Sequence, residues 1–253
     1  NWSDATHGWA ANYGTGGNGG LFKTSDAGAN WLPVALPEGT GSVQSVAFSD
    51  AKTGIVQTGD RLLRTTDGGA TWRTVQARGD GWRIVHTGSR TFWRVGGFFV
   101  DRSTDDGATW QTLNLPATRI VDITAPDDEH AYLIAWGNLI LATADGGQTW
   151  NAIDSAGMPD ALTGEFAFAA SGQCLTSNHG HTAWFGTGGA AQARVFEEAD
   201  IKGRHPHHGR AARQEPEDLV RIEFRDEDHR GARHQHDVGR HKEPVGVENR
   251  KRM

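Results

Sequence analysis

An all-β chain built from repeated four-stranded units is the fold class this sequence predicts. Three observations predict it. An eight-residue box, Ser/Thr-x-Asp-x-Gly-x-(Thr/Asn)-Trp, occurs four times, at 24–31, 65–72, 103–110 and 143–150. Its aspartates, Asp26, Asp67, Asp105 and Asp145, stand 41, 38 and 40 residues apart, and a near-constant step of this size marks a repeat architecture. Composition agrees: the 253 residues include 34 Gly and 10 Trp with only 36% hydrophobic residues, which suits many short strands joined by tight turns.

Each residue type in the box has a mechanical reason. The Asp is a short acceptor that can bond backbone N–H groups one or two residues on and close a turn. The glycine two positions later, Gly28, Gly69, Gly107 or Gly147, can take positive φ without steric cost. The tryptophan, Trp31, Trp72, Trp110 or Trp150, begins the next strand and offers a large face for burial between layers. Each copy therefore reads as a hairpin corner: strand, Asp-Gly turn, strand.

The chain in order fits this plan. Residues 1–31 hold a partial unit, with a strand over His7–Tyr13, a glycine-rich turn over Gly14–Gly20, and a strand from Leu21 into the first box. Residues 32–72 hold the clearest unit: Val43–Phe48, Gly54–Thr58, a turn at Gly59-Asp60, Arg61–Thr65, the box, and Trp72–Val75 leaving it. Four short strands in about 40 residues is the length of one β-propeller blade. The plan repeats with Trp82–His86, Thr91–Val95, Phe98–Arg102 and Trp110–Leu113, and again with Ile120–Thr124, Ala131–Trp136 and Leu139–Ala142. Pro116 and Pro126 fall between elements, where they spare the ladders. A fifth unit begins at Glu165–Ala169, Gln173–Thr176, Thr182–Phe185 and Ala193–Phe196. A fifth box is due after Phe196 and does not come.

From Glu197 the composition changes. All ten Trp precede it, while seven of twelve His, ten Arg and thirteen Asp/Glu follow. Apolar residues there lack a period, apart from Leu219–Phe224. Such a segment is expected to stay disordered, or to be the product of a shifted reading frame. The sequence thus divides into a partial propeller, 1–196, and a charged His/Arg-rich tail, 197–253.

Charge and cysteine content narrow the function. The formal charge of −6 argues against nucleic acid as a partner, and no apolar run is long enough for membrane insertion. The single cysteine, Cys174, excludes an internal disulfide and reads as a core residue of a strand. The chain opens at Asn1 without a leader, which is expected of a piece or a processed form.

The boxes resemble the Asp-box, or BNR, repeat of sialidases, some glucan-cleaving glycoside hydrolases, sortilin-type receptors and photosystem II stability/assembly factors. The longer pattern of Asp4–Ala10, Leu63–Trp72 and Leu141–Trp150 is similar to the last of these. That resemblance covers about residues 1–196. It implies a propeller, seven-bladed in the family, exported across a membrane to the periplasm, thylakoid lumen or outside, and acting as a non-enzymatic scaffold for a protein partner such as a membrane-complex subunit. It implies no cofactor. The alternative is an extracellular sialidase-like or other glycoside hydrolase, or a glycan binder.

Candidate chemistry is thin. Identical turns on successive blades are spaced apart rather than paired across one bond, so the box aspartates read as structural and no catalytic residue is assigned. A sialidase would need an arginine trio, a Tyr–Glu pair and an acid/base Asp; the tyrosines, Tyr13 and Tyr132, have no evident Glu partner, and Arg83-Ile-Val and Arg119-Ile-Val are only approximations to the Arg-Ile-Pro signature. Asp122, Asp127, Asp128, Glu129 and Glu165 could supply a glucanase carboxylate but read as solvated turn residues. His205-Pro-His207-His208, His234-x-His236 and His179-x-His181 are loose metal-like tracts whose spacing defines no site, so no metal is assigned. Gly14–Gly20 precedes no helix and is no phosphate cradle. Arg61, Arg64, Arg73, Arg78, Arg83, Arg90, Arg94, Arg102 and Arg119 could form the basic patch through which the assembly factors bind partners, but read as ordinary exposed charge.

Overall fold

A computed structural model describes residues 1–12, 20–75, 80–115, 118–137, 139–153, 162–167, 174–178, 182–189 and 194–198. The charged tail beyond Glu198, the histidine tracts at 179–181, 205–208 and 234–236, Tyr13, Arg78 and most of Gly14–Gly20 lie outside these residues. The described residues form strands and turns and no helix.

Five antiparallel sheets follow one another along the chain. The first holds β1 (Gly8–Asn12), β2 (Gly20–Thr24) and β3 (Leu32–Val34). The second is a four-stranded meander of β4 (Val43–Phe48), β5 (Gly54–Thr58), β6 (Leu62–Thr65) and β7 (Arg73–Val75). The third repeats it with β8 (Gly81–His86), β9 (Phe92–Gly96), β10 (Val100–Ser103) and β11 (Gln111–Leu113). The fourth has β12 (Ile120–Thr124), β13 (Ala131–Ala135), β14 (Leu139–Thr143) and β15 (Asn151–Ala152). In the fifth, β16 (Phe166–Ala167) and β17 (Leu175–Ser177) both pair with β18 (Ala183–Gly188), whose other edge carries β19 (Arg194–Glu198).

Face-to-face packing of successive sheets explains the sequence of the second strands. Val56 and Leu63 point from the second sheet into a core with Trp9, Leu21 and Val34 of the first, while Ile55 and Leu62 point the other way toward Ile84 and Phe92 of the third. A strand buried on both faces reads as a continuous apolar run, and β5, β9 and β13 are buried throughout. Trp93 and Val95 continue the series against Leu133 and Leu141, and Tyr132 and Ile134 against Leu175 and Phe185. Each fully buried side chain of this size contributes about 1.5–3 kcal/mol. These cores therefore outweigh any single hydrogen bond between sheets, worth about 1 kcal/mol.

The first strands of the second, third and fourth sheets carry a bulge at the same register, at Gln44, Trp82 and Val121. The residue after each bulge reaches toward the next sheet. Ser45 Oγ accepts the Ile84 N–H at 3.1 Å, Arg83 Nε lies 3.3 Å from Asp122 Oδ1, and Asp122 Oδ2 accepts the N–H groups of Cys174 and Leu175 at 2.9 and 3.1 Å. The fifth sheet departs from the expectation here. Residues 165–169 and 173–176 do not give two successive strands of a blade. Ala167 pairs with Thr187 as Val43 pairs with Thr58, and Leu175 pairs with Phe185 as Val46 pairs with Val56. Together β16 and β17 take the first-strand place on one edge of β18, and residues 168–173 between them lie outside the described residues. The physical reason is that both segments bond to one edge of β18, because its other edge is taken by β19.

Candidate functional site

The boxes join the third and fourth strands of the second, third and fourth sheets, and β2 to β3 in the first, at one end of each of these four sheets. In the second box Thr65 Oγ1 donates to Asp67 Oδ1 at 2.8 Å and accepts the N–H of Gly69 at 2.9 Å. Asp67 accepts the N–H of Thr71 at 2.9 Å and its hydroxyl at 2.5 Å. The other three boxes repeat these bonds through Asp26 with Asn30, Asp105 with Thr109 and Asp145 with Thr149. The aspartate thus spans four residues rather than one or two. The hydroxyl two positions earlier takes the nearer N–H groups, because two successive positive-φ residues swing the chain past the carboxylate; at the second box they are Gly68 and Gly69, with φ 70° and 84°. Trp31, Trp72, Trp110 and Trp150 stand one residue before their strands and remain partly exposed.

These bonds hold the Asp26 and Asp67 carboxyls at about 2, the Asn30 backbone N–H contributing most at Asp26 and the Thr71 hydroxyl most at Asp67; Asp105 and Asp145 are also lowered, by the same kind of bonds overcoming some desolvation. A carboxylate depressed in the folded state adds stability above its unfolded value, about 3.9, and loses it as pH falls through the folded one. The difference in melting temperature between the wild type and an Asp26→Asn/Asp67→Asn variant is therefore expected to change between about pH 4 and about pH 2 and to be constant above pH 5. A constant difference across that interval would remove the boxes from the acid response.

The second, third and fourth boxes are each also tied to the preceding sheet by a cation on the strand that leads into that sheet's own box. Lys23 Nζ donates to the Gly68 carbonyl at 3.0 Å, Arg64 Nε to the Asp106 carbonyl at 2.7 Å, and Arg102 Nη1 to the Gly146 carbonyl at 3.3 Å. The receiving residue occupies the same position in each box. In the fourth sheet the cation position is Ala142.

Of the candidate carboxylates, Asp122, Glu165 and Asp128 are engaged by neighbouring donors, while Asp127 and Glu129 sit in a turn with exposed side chains, as expected. Asp122 is buried, so desolvation raises its carboxyl despite Arg83 and three backbone donors. Glu165 is bound by Arg194 and Thr187, and the Arg194 bonds hold it at about 2. Asp128 accepts from Ser89 at 2.6 Å and from Thr87, Asp127 pairs with His130 at 2.9 Å, and Glu129 lies 3.7 Å from Arg102. These last three line an open hollow of about 380 Å³ at the box end with Thr87, Gly88 and Ser89. Tyr132 is fully buried, and burial beside Asp122 pushes the Cys174 thiol up to about 12. No cluster of metal-binding side chains occurs among the described residues.

The arginines do not share a face. Arg94 is fully buried, contrary to the exposed role expected of it, because Asp101 and Gln57 meet it inside the sheet stack. Arg83 faces Asp122, Arg90 pairs with Asp106 at 2.7 Å, and Arg61 bonds Asp60 and the Gly39 carbonyl. Arg119 differs: it is exposed, its guanidinium stands 5.2 Å over the Trp136 ring, and no carboxylate among the described residues pairs with it.

Trp136 and Arg119 belong to the end opposite the boxes, where second strands turn into third strands. Phe98 and Trp136 sit in two such turns and are 72% and 67% exposed. Phe98 was expected within a strand, but β10 starts at Val100 and leaves it in the turn. Backbone bonds tie both turns to the Arg119-Ile120 segment that opens β12: Ile120 N–H donates to Gly97 O at 3.0 Å, and Trp136 N–H to Arg119 O at 2.8 Å. Leu139, beside the Trp136 turn, is 37% exposed, and Phe166, at the register position of Arg119 in the fifth sheet, is 44% exposed. The signal that could have found the patch is a large aromatic beside a turn glycine, Gly97-Phe98 and Trp136-Gly137.

Comparison with solved structures follows from this geometry. The chain is similar to YCF48 bound to D1 peptide, with TM-score 0.57 and 20% identity over 77% of this chain and 62% of that one. It is also similar to the GH74 xyloglucanase from Xanthomonas campestris, with TM-score 0.58 and 14% identity over 78% of this chain and 36% of that one. The fold is that of β-propeller blades. No family model matches the chain. In sequence, the chain is 29% identical over 162 residues to the dispase autolysis-inducing protein of Streptomyces mobaraensis, an alignment covering 58% of this chain and 41% of that protein. The chain thus spans about two fifths of that relative's length and less than two thirds of either structure's chain.

Proposed function

We propose that this chain is a non-enzymatic, exported protein-binding scaffold that engages its partner with the propeller end opposite the boxes. The observation that carries this reading is the exposed pair Phe98 and Trp136 on turns that backbone hydrogen bonds tie to the Arg119-Ile120 segment. Exposed aromatics grouped on rigid turns are the kind of anchor that dominates protein interfaces. Solitary exposed apolar residues are ordinary, so the grouping matters more than the exposure. We assign the binding role to the strand-bearing segment 1–196, and to the four boxes, through Asp26, Asp67, Asp105 and Asp145 with their glycines and tryptophans, the role of structural corners. The engagement of Asp122, Glu165 and Asp128 by neighbouring donors supports a non-catalytic reading. So does the likeness to YCF48, whose structure holds a D1 peptide. Export follows from the assembly-factor resemblance in the sequence.

The test compares the whole chain with a Phe98→Ser/Trp136→Ser variant. Both are panned against a random dodecapeptide display library and a panel of sialosides and β-glucans, and both are assayed with fluorogenic glycosides. Peptides retained by the wild type and lost by the variant are expected. Glycoside turnover, or glycan capture that the variant loses, would replace the scaffold reading with a carbohydrate-active one.

A further inference from the structure

The same patch carries information about partner chemistry. Phe98, Trp136 and Leu139 supply apolar surface, and Arg119 is a cation held over one of the rings with no carboxylate partner among the described residues. A guanidinium held over an indole face by a cation–π contact still has its planar fork of N–H donors, and that fork matches a carboxylate. Of the other charged groups at this end, Arg61 pairs with Asp60 and Arg83 with Asp122, while Asp80 stands exposed before β8 at the position that Arg119 holds before β12. Among the described residues, a single cation without a carboxylate partner amid aromatics, with the Asp80 carboxylate at the same end, does not suit a polyphosphate backbone, whose binding rests on releasing many counterions.

Resting on the scaffold reading, we propose that the partner presents an extended acidic-apolar peptide segment: a large apolar side chain packs against Phe98 and Trp136, and an adjacent Asp or Glu carboxylate pairs with Arg119. Leu139 and Phe166 extend the apolar track to either side of this anchor. The carboxylate confers selectivity and salt dependence, and the apolar side chain most of the affinity.

Fluorescein-labelled, end-blocked peptides test this with the full-length chain by anisotropy at about 50 mM salt. The probes are Gly-Glu-Leu-Phe-Glu-Gly and its Gln-for-Glu and Lys-for-Glu counterparts. The Glu peptide is expected to bind about tenfold more tightly than the Gln peptide, and the Lys peptide more weakly still. Arg119→Gln is expected to abolish the Glu-over-Gln preference, and Arg119→Lys to retain part of it. Trp136→Ser is expected to weaken all three by about thirtyfold. Unchanged near-ultraviolet circular dichroism of the variants establishes that they fold. Equal binding of the Glu and Gln peptides, or a preference that survives Arg119→Gln, overturns the proposal. If panning returns patch-dependent peptides that are neutral or basic, the scaffold reading stands and the acidic partner falls; if it returns none that depends on the patch, the scaffold reading itself falls.

Discussion

Replacing Arg94 with methionine is expected to destabilise the protein by about 3–5 kcal/mol, measured as the shift in urea midpoint at constant slope. The guanidinium is fully buried in β9, between two sheets. It donates to Gln57 Oε1 at 2.9 Å and to the Asp101 carboxylate, and stands 5.0 Å over the Phe99 ring. Asp101 in turn accepts the Thr112 hydroxyl at 2.7 Å. Removing the arginine leaves a buried carboxylate without its cation and a buried amide without its donor, which costs more than the pair itself contributes. Removing both charges should therefore be milder. An Arg94→Met/Asp101→Leu variant is expected to recover at least about 2 kcal/mol of the single-variant loss. A single-variant loss below about 1 kcal/mol would mean that water reaches the pair.

Gly107→Ala is expected to cost about 2–5 kcal/mol. Two effects add. The residue has φ 76°, where an L side chain pays about 1–2 kcal/mol. Its new Cβ would also lie 2.2 Å from Ile55 Cδ1 in the core of the preceding sheet, and overpacking of this kind costs about 1–3 kcal/mol. Gly88 isolates the first effect: its φ is 89°, but a Cβ there meets nothing within 4 Å. Gly88→Ala should therefore cost about 1–2 kcal/mol. Equal losses at the two positions would show that Ile55 yields without resistance. Asp106, one position earlier in the same box, is a non-glycine at φ 58°; Asp106→Gly relieves that strain but gives up the Arg90 ion pair and adds freedom to the unfolded chain, so a change within about 1 kcal/mol is expected.

The order of strands was legible in the sequence because the box fixes a phase. Asp67 and Trp72 mark where the third strand ends and the fourth begins, and the alternation in Val43–Phe48 marks the first. Periodicity says nothing of what crosses between repeats. Lys23, Arg64 and Arg102 precede their boxes by an equal step, yet their partners lie 45, 42 and 44 residues on. Arg94 and Asp101 look like strand-exposed charges in a linear reading; only the stacking of sheets makes both faces of β9 interior. The fifth sheet misled for a related reason, since composition marks short strands at Phe166–Ala167 and Leu175–Ser177 but does not tell which edge of β18 each takes. The Phe98 and Trp136 patch was hidden by strand boundaries, a residue or two in error, which moved each aromatic from a turn into a strand.

The run of cations ends at Ala142, and that alters how the fold should come apart. Along the first three seams, a charged tether on the strand that leads into the box supplements the apolar core. The fourth seam has its core and first-strand bonds, including Thr124 Oγ1 to Ser177 Oγ at 2.9 Å, but no such tether. In a stack stabilised by nearest neighbours, the weakest junction sets where the cooperative unit divides. Amide protons of β17 and β18 should then exchange through a partial opening that spares β5, β9 and β13, so that the last sheet behaves as a separate foldon hinged on the other four.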